Sequence, residues 1–104
     1  MACQGECIII EATAQSVDWE HNANQVSAQE LAKLKARAIE EHTTFTKIGC
    51  PKCWCERKGK PSSRITHEFV VYKVVLPSGA DAYVTGWVTV LIETWQGDCQ
   101  DDMK

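Results

Sequence analysis

At 104 residues, with 44% hydrophobic and 24% charged side chains, the chain reads as one folded domain over 1–104, which excludes wholesale disorder. Its longest apolar runs, residues 7–10 and 69–72, fall far short of the ~20 residues of a membrane helix, so no membrane partner is expected. A net charge of −3 argues against a general polyanion binder but leaves room for a local basic patch.

Taken in chain order, residues 6–14 read as a first strand, with Ile8, Ile10, Ala12 and Ala14 on one face. Residues 15–26 are polar, with Asn22, Asn24 and two Gln, and read as a loop anchored by Trp19. The ends, 1–4 and 100–104, read as flexible.

Ser27-Ala28-Gln29-Glu30 is a capping box, and Val26 with Leu31 makes a hydrophobic staple around it. Strong helix formers without Gly or Pro then run from Ala28 to His42. At about 100° per residue, Ala28, Leu31, Leu34, Ala38 and Ile39 share one side with His42, opposite Glu30, Lys33, Arg37 and Glu40. Lys35 interrupts the apolar side and snorkels outward.

Residues 64–76 and 83–95 flank the turn-rich 77–81 (PSGAD) and read as an antiparallel hairpin. Placing Val75 opposite Val84 sets Tyr72 against Trp87, and keeps Glu68 away from the apolar side. The expected fold is α+β: a small antiparallel sheet in β-α-β-β order, one helix packed on one face, and a Cys-rich metal-binding loop. One helix leaves the second face bare. Val70, Tyr72, Trp87 and Leu91 on that face are candidate contacts for another protein or for a second copy of the chain, a homo-oligomer.

Six cysteines allow three disulfides in a secreted chain. The first residues have no basic n-region, and Ile8-Ile9-Ile10 is too short for an apolar h-region, so the expected compartment is the cytoplasm, where thiols stay reduced. Reduced, clustered cysteines suggest a metal, with zinc as the expected ion and iron or an iron–sulfur cluster as the alternative. Cys50-Pro51-Lys52-Cys53 forms a C-x-x-C turn after Gly49 that points two thiolates at one ion. A hairpin brings its outer ends together, so Cys50, Cys53, Cys55 and Cys99 are the expected ligands. Cys3, Cys7 and His42 are the substitutes. His67 alternates with Ile65 and Phe69 as an interior residue, and His21 reads as a solvated loop residue.

The C-x-x-C-x-C run at 50–55 also resembles the cysteine claw of the nitrile hydratase alpha subunit, where thiolates and backbone amides hold a low-spin iron or cobalt. The resemblance covers residues 50–55 only, and Trp54 stands where that family has Ser. It implies a metalloenzyme or redox centre built on Cys50, Cys53 and Cys55.

Between 47 and 64 lie Lys47, Lys52, Arg57, Lys58, Lys60 and Arg64 against the single acid Glu56. With Trp54, the cations from Lys52 onward are candidate nucleic-acid contacts. Because the rest of the chain is acidic, the favoured reading is that they neutralise a zinc thiolate centre. No G-x-S-x-G, Gly-rich phosphate loop or H-E-x-x-H occurs, and no catalytic residue is nominated. The functional expectation is a non-catalytic, metal-stabilised module that binds protein in a regulatory or accessory role. A nucleic-acid-binding zinc protein and the claw enzyme are the alternatives.

Overall fold

The structure is a computed structural model and describes residues 3–21 and 26–101. The expected flexible residues 1, 2 and 102–104, and the loop residues 22–25, lie outside that range. Four strands and one helix follow in the order β1 (Glu6–His21), α1 (Ala28–Glu41), β2 (Thr44–Ile48), β3 (Trp54–Val75) and β4 (Asp81–Gln100). They form one antiparallel sheet with spatial order β2-β1-β4-β3.

The one-helix, antiparallel α+β class matches expectation, but the β-α-β-β order does not. β2 is an additional strand, antiparallel to β1 from Ile8↔Ile48 to Ala12↔Thr44. β1 also runs on to His21, past a bulge between Ala14 and Ser16. Polar Gln15, Asp18 and Glu20 disguise this continuation, in which Val17 and Trp19 still alternate inward.

α1 starts where the capping box places it: Ser27 Oγ accepts from the Glu30 N–H at 3.2 Å. Leu34 and Ala38 are buried, with Leu31 and Ile39 packed beside them. The helix ends at His42, whose N–H bonds the Ala38 carbonyl at 3.1 Å. The hairpin turn is a three-residue loop. Gly79 N–H donates to Leu76 O and Leu76 N–H to Ala80 O, both at 2.8 Å. Pro77 takes the first corner and Gly79, at φ +90°, supplies the left-handed residue.

The register differs from the expected one. Val75 faces Asp81, Tyr72 faces Val84 and Phe69 faces Trp87. Glu68 does point to the helix side, opposite Val88, where His42 at the end of α1 meets its carboxylate at 3.1 Å. A partner from a distant element thus removes the objection to a carboxylate there.

At one end β3 is ten residues longer and β4 five residues longer than the hydrophobic pattern suggests, and the molecule is a blade of 62 × 27 × 16 Å. Its two cores lie on opposite faces at opposite ends. Beneath the helix, Ala14, Val17, Val70, Tyr72, Val84, Val88 and Val90 pack with Leu34 and Ala38. At the other end Ile9, Trp95 and four cysteines are buried on the reverse face. The ladder itself records the change of side. On β4 the even-numbered residues are buried up to Val90, and Trp95, Gly97 and Cys99 are buried beyond it.

Candidate functional site

The cysteine-rich end is built on the two central strands and their neighbour. Cys55 on β3 lies opposite Cys99 on β4, and Cys7 on β1 lies opposite Gly97. Residue 97 must be glycine, because a Cβ there would press into the Glu56 carbonyl and come within 2.8 Å of Cys55 Sγ. Gly49, at φ +95°, turns the chain after β2, and its missing Cβ leaves room for the Glu6 carbonyl, which would stand 2.8 Å away. This turn carries Cys50 and Cys53 toward the same cluster.

The six cysteines form three disulfides: Cys3–Cys53, Cys7–Cys55 and Cys50–Cys99, with Cα separations of 6.3, 6.0 and 5.7 Å. In chain order the pairing is first to fourth, second to fifth, third to sixth. No described cysteine is free. The expected zinc site, and its iron and iron–sulfur alternative, is thereby corrected. Cys7, Cys50 and Cys55 do bring their sulfurs within 4.8 Å of one another, but each sulfur is committed to a covalent partner and cannot serve as a thiolate ligand. Cys53 belongs to a separate group with Cys3 and Asp101. The claw-like triplet accordingly diverges to three different partners. Its C-x-x-C turn survives only as the Cys53 N–H to Cys50 O bond at 3.4 Å.

The cytoplasmic expectation falls with the metal. Three disulfides among six cysteines point to an oxidising environment, such as that of a secreted or extracellular protein. The residue pattern at the start of the sequence does not fix the redox state of the thiols. Nothing within 50–55 distinguishes ligands from half-cystines, and the informative feature, Cys7 falling in register with the end of β4, requires the sheet to be assembled.

His42, the substitute ligand, is occupied otherwise. Its Nδ1 lies 2.9 Å from Ala38 O and its Nε2 3.1 Å from Glu68. His67 is exposed on the open face, with Nδ1 3.3 Å from Thr89 Oγ1.

The basic segment is not one patch. Arg57 lies over the Trp95 ring at 4.1 Å and pairs with Glu11 at 3.1 Å. Lys58 points to the opposite face and pairs with Asp98 at 3.1 Å. Lys47 donates to the Cys53 carbonyl, and Trp54 Nε1 donates to Asp101 O at 3.1 Å. Lys52, Lys60 and Arg64 are exposed, with Lys60 in the irregular stretch between Lys58 and Ser62. Three cations of the six thus remain for a polyanion, divided among separate places.

The other candidate surface is the hairpin face turned away from α1. Phe69 and Trp87 sit across the ladder from each other with ring centroids 5.2 Å apart at 64°, and Glu20 accepts from Trp87 Nε1 at 2.7 Å. Ile65 and Leu91 extend the stripe one way, Val71 and Tyr83 the other. Phe69, Trp87 and Tyr83 are 50%, 40% and 62% exposed, whereas Val70 and Tyr72, at 8% and 6%, belong to the helix-side core. Of the four residues expected on this surface, Trp87 and Leu91 lie on it; Phe69 and Val71 take the places of Tyr72 and Val70.

No family model, curated protein or solved structure matches the chain. Chemistry on the surface therefore has to carry the functional reading alone.

Tyr72 shows what its inward position does. Its hydroxyl donates to Glu41 at 2.9 Å, Arg37 stacks on its ring at 5.0 Å, and Trp19 meets it edge-on at 6.1 Å. Burial, then the bond to Glu41, pushes the phenol up to about 12. Hydrogen bonds from Arg37 and Tyr72 hold the Glu41 carboxyl below its usual range.

A cavity of about 480 Å³ lies at the disulfide end on the helix-side face, beyond the reach of α1, with Ile8 and Ile48 as its apolar lining and Glu6, Lys58, Gln96 and Asp98 as its polar one. The Lys58–Asp98 pair occupies its polar side. These groups include no nucleophile–base pair.

Proposed function

We propose that the protein is a non-catalytic, disulfide-stapled binding module of an oxidising compartment, and that it engages another protein through the open face of the β3–β4 hairpin. The exposed Phe69–Trp87 pair supports this reading. Two large aromatic rings in contact with each other, flanked on one side by exposed Val71 and Tyr83 and on the other, past the His67–Thr89 pair, by exposed Ile65, form an apolar stripe on a rigid two-stranded support. Aromatic anchors on a rigid frame lose little conformational entropy on binding and are enriched in interface centres. The stripe carries few charges, and Lys73 beside it is already paired with Asp81 at 3.3 Å.

Photo-crosslinking tests the reading. A benzophenone amino acid at Tyr83 or Val71 in the oxidised protein should give a discrete protein adduct in extracellular fluid from its source. The same probe at Lys35, an exposed residue of α1, should not. The adduct should disappear with Phe69→Ser or Trp87→Ser. Equal labelling from Lys35, or no adduct from either hairpin position, overturns it.

A further inference from the structure

β3 forms one margin of the sheet, and its two halves treat their unpaired edge differently. From 58 to 61 the edge is broken by Lys58, Gly59 at φ +66°, Lys60 and Pro61, with a register shift between Lys58 and Ser62. Such features prevent strand addition. From 62 to 75 no Gly or Pro occurs, the pairing to β4 is regular, and only Arg64, Glu68 and Lys73 are charged. This second half presents a long, regular row of backbone donors and acceptors.

We propose that the chain forms a symmetric dimer by pairing this edge antiparallel with the same edge of a second copy, with the two-fold axis at Thr66. The register follows from charge. A two-fold perpendicular to the sheet keeps equivalent faces on the same side, so even-numbered residues oppose even-numbered ones and one residue faces its own copy. An axis at Thr66 sets Arg64 opposite Glu68 of the second copy, twice by symmetry. An axis at Arg64 or Glu68 opposes like charges, and one at Val70 pairs neither.

The Thr66 register also ends where the chain does not allow more. Ser62 meets Val70 and Ser63 meets Phe69, and the next residue outward is Pro61, which has no N–H to offer. The nine residues 62–70 span about 30 Å of ladder. Arg64 is exposed and makes no ion pair among the described residues, and Glu68 meets His42 through one oxygen, leaving the other for Arg64.

Helix α1 leaves this edge free. Its packing on Val70, Tyr72 and Val74 of β3, and the contact of its C-cap His42 with Glu68, all lie on one side of the axis, so the second helix falls on the other side. Pairing makes one eight-stranded sheet on which both Phe69–Trp87 stripes face the same way.

Sedimentation equilibrium of the oxidised protein from micromolar to millimolar concentration tests this. Wild type should show a monomer–dimer equilibrium. Arg64→Glu creates two like-charge pairs and should weaken it at least about tenfold, as should Glu68→Arg. The double variant Arg64→Glu/Glu68→Arg should restore it. Lys73→Glu, beyond the ladder, and Trp87→Ser, on the open face, should leave it unchanged. Amide exchange should show dimer-dependent protection within 62–70, and melting curves confirm that each variant is folded. A monomer at every concentration, a dimer indifferent to Arg64→Glu, or a dimer lost on Trp87→Ser overturns the proposal. Failure of the open-face reading leaves these outcomes untouched, since the crosslinking test does not involve the edge.

Discussion

Tyr72 links three elements through one side chain. The β3 backbone directs its ring into the core, Glu41 of α1 accepts a hydrogen bond from its hydroxyl, and Trp19 of β1 packs on its edge. Because burial raises its folded-state value to about 12, above the ordinary value of a tyrosine, the neutral phenol is the form the fold favours. That stability is fully present below pH ~10 and is lost as pH rises through about 12. Tyr72→Phe should lower stability at neutral pH by about 1.5–3 kcal/mol, the usual worth of a hydrogen bond to a charged acceptor. The gap between wild type and Tyr72→Phe should then close as pH rises from 10 toward 12. Urea unfolding of both proteins at a series of alkaline pH values measures this directly. A gap that widens instead would show that the ionised phenol is the favoured form.

Among the elements, the three disulfides do unequal work although their sequence separations are 50, 48 and 49. Closing a loop of about 50 residues constrains the unfolded chain by about 4 kcal/mol in the chain-entropy account. Cys3–Cys53 and Cys7–Cys55 close almost the same loop. Once one is made, the other closes only a ring of about eight residues, worth about 2.5 kcal/mol. Cys50–Cys99 closes a separate loop through β3 and β4 and keeps its full worth. Cys50→Ser/Cys99→Ser should therefore cost about 4 kcal/mol, and Cys3→Ser/Cys53→Ser about 2.5 kcal/mol, in denaturant midpoints of the oxidised proteins. Equal costs would show that native-state packing, not chain closure, sets their value.

On the scale of the whole molecule, the blade has a radius of gyration of 19.2 Å, well above the roughly 13 Å of a compact chain this long. Two small cores on opposite faces replace one central core, and only the helix end is held chiefly by apolar packing. Reduction should therefore melt the molecule unevenly. Amide exchange in excess reductant should lose protection in β2, in the first residues of β1 and in β3 and β4 beyond Trp95. It should persist in α1 and in 66–92. Uniform loss would mean that the two ends unfold as one cooperative unit.

Local chemistry in the sequence was enough to establish α1 and the hairpin. A capping box, a staple and an uninterrupted run of helix formers act within a few residues, and so do Pro77 and Gly79 at the turn. The first ten residues of β3, and the five of β4 after Trp95 that pair with them, were hidden because Arg57, Lys58, Gly59 and Pro61 look like loop until a paired strand holds them extended. The open face was legible as a class of surface, but its members depended on the register that the three-residue turn fixes, in which His42 meets Glu68 across 26 positions of chain. The fate of the cysteines was decided furthest from the sequence. Spacing within 50–55 is a local quantity, whereas pairing depends on which sulfurs the assembled sheet brings together. Composition determined a small α+β chain with six cysteines. Only the tertiary structure, by laying Cys7, Cys55 and Cys99 side by side across three strands, decided that they are cross-links and not ligands.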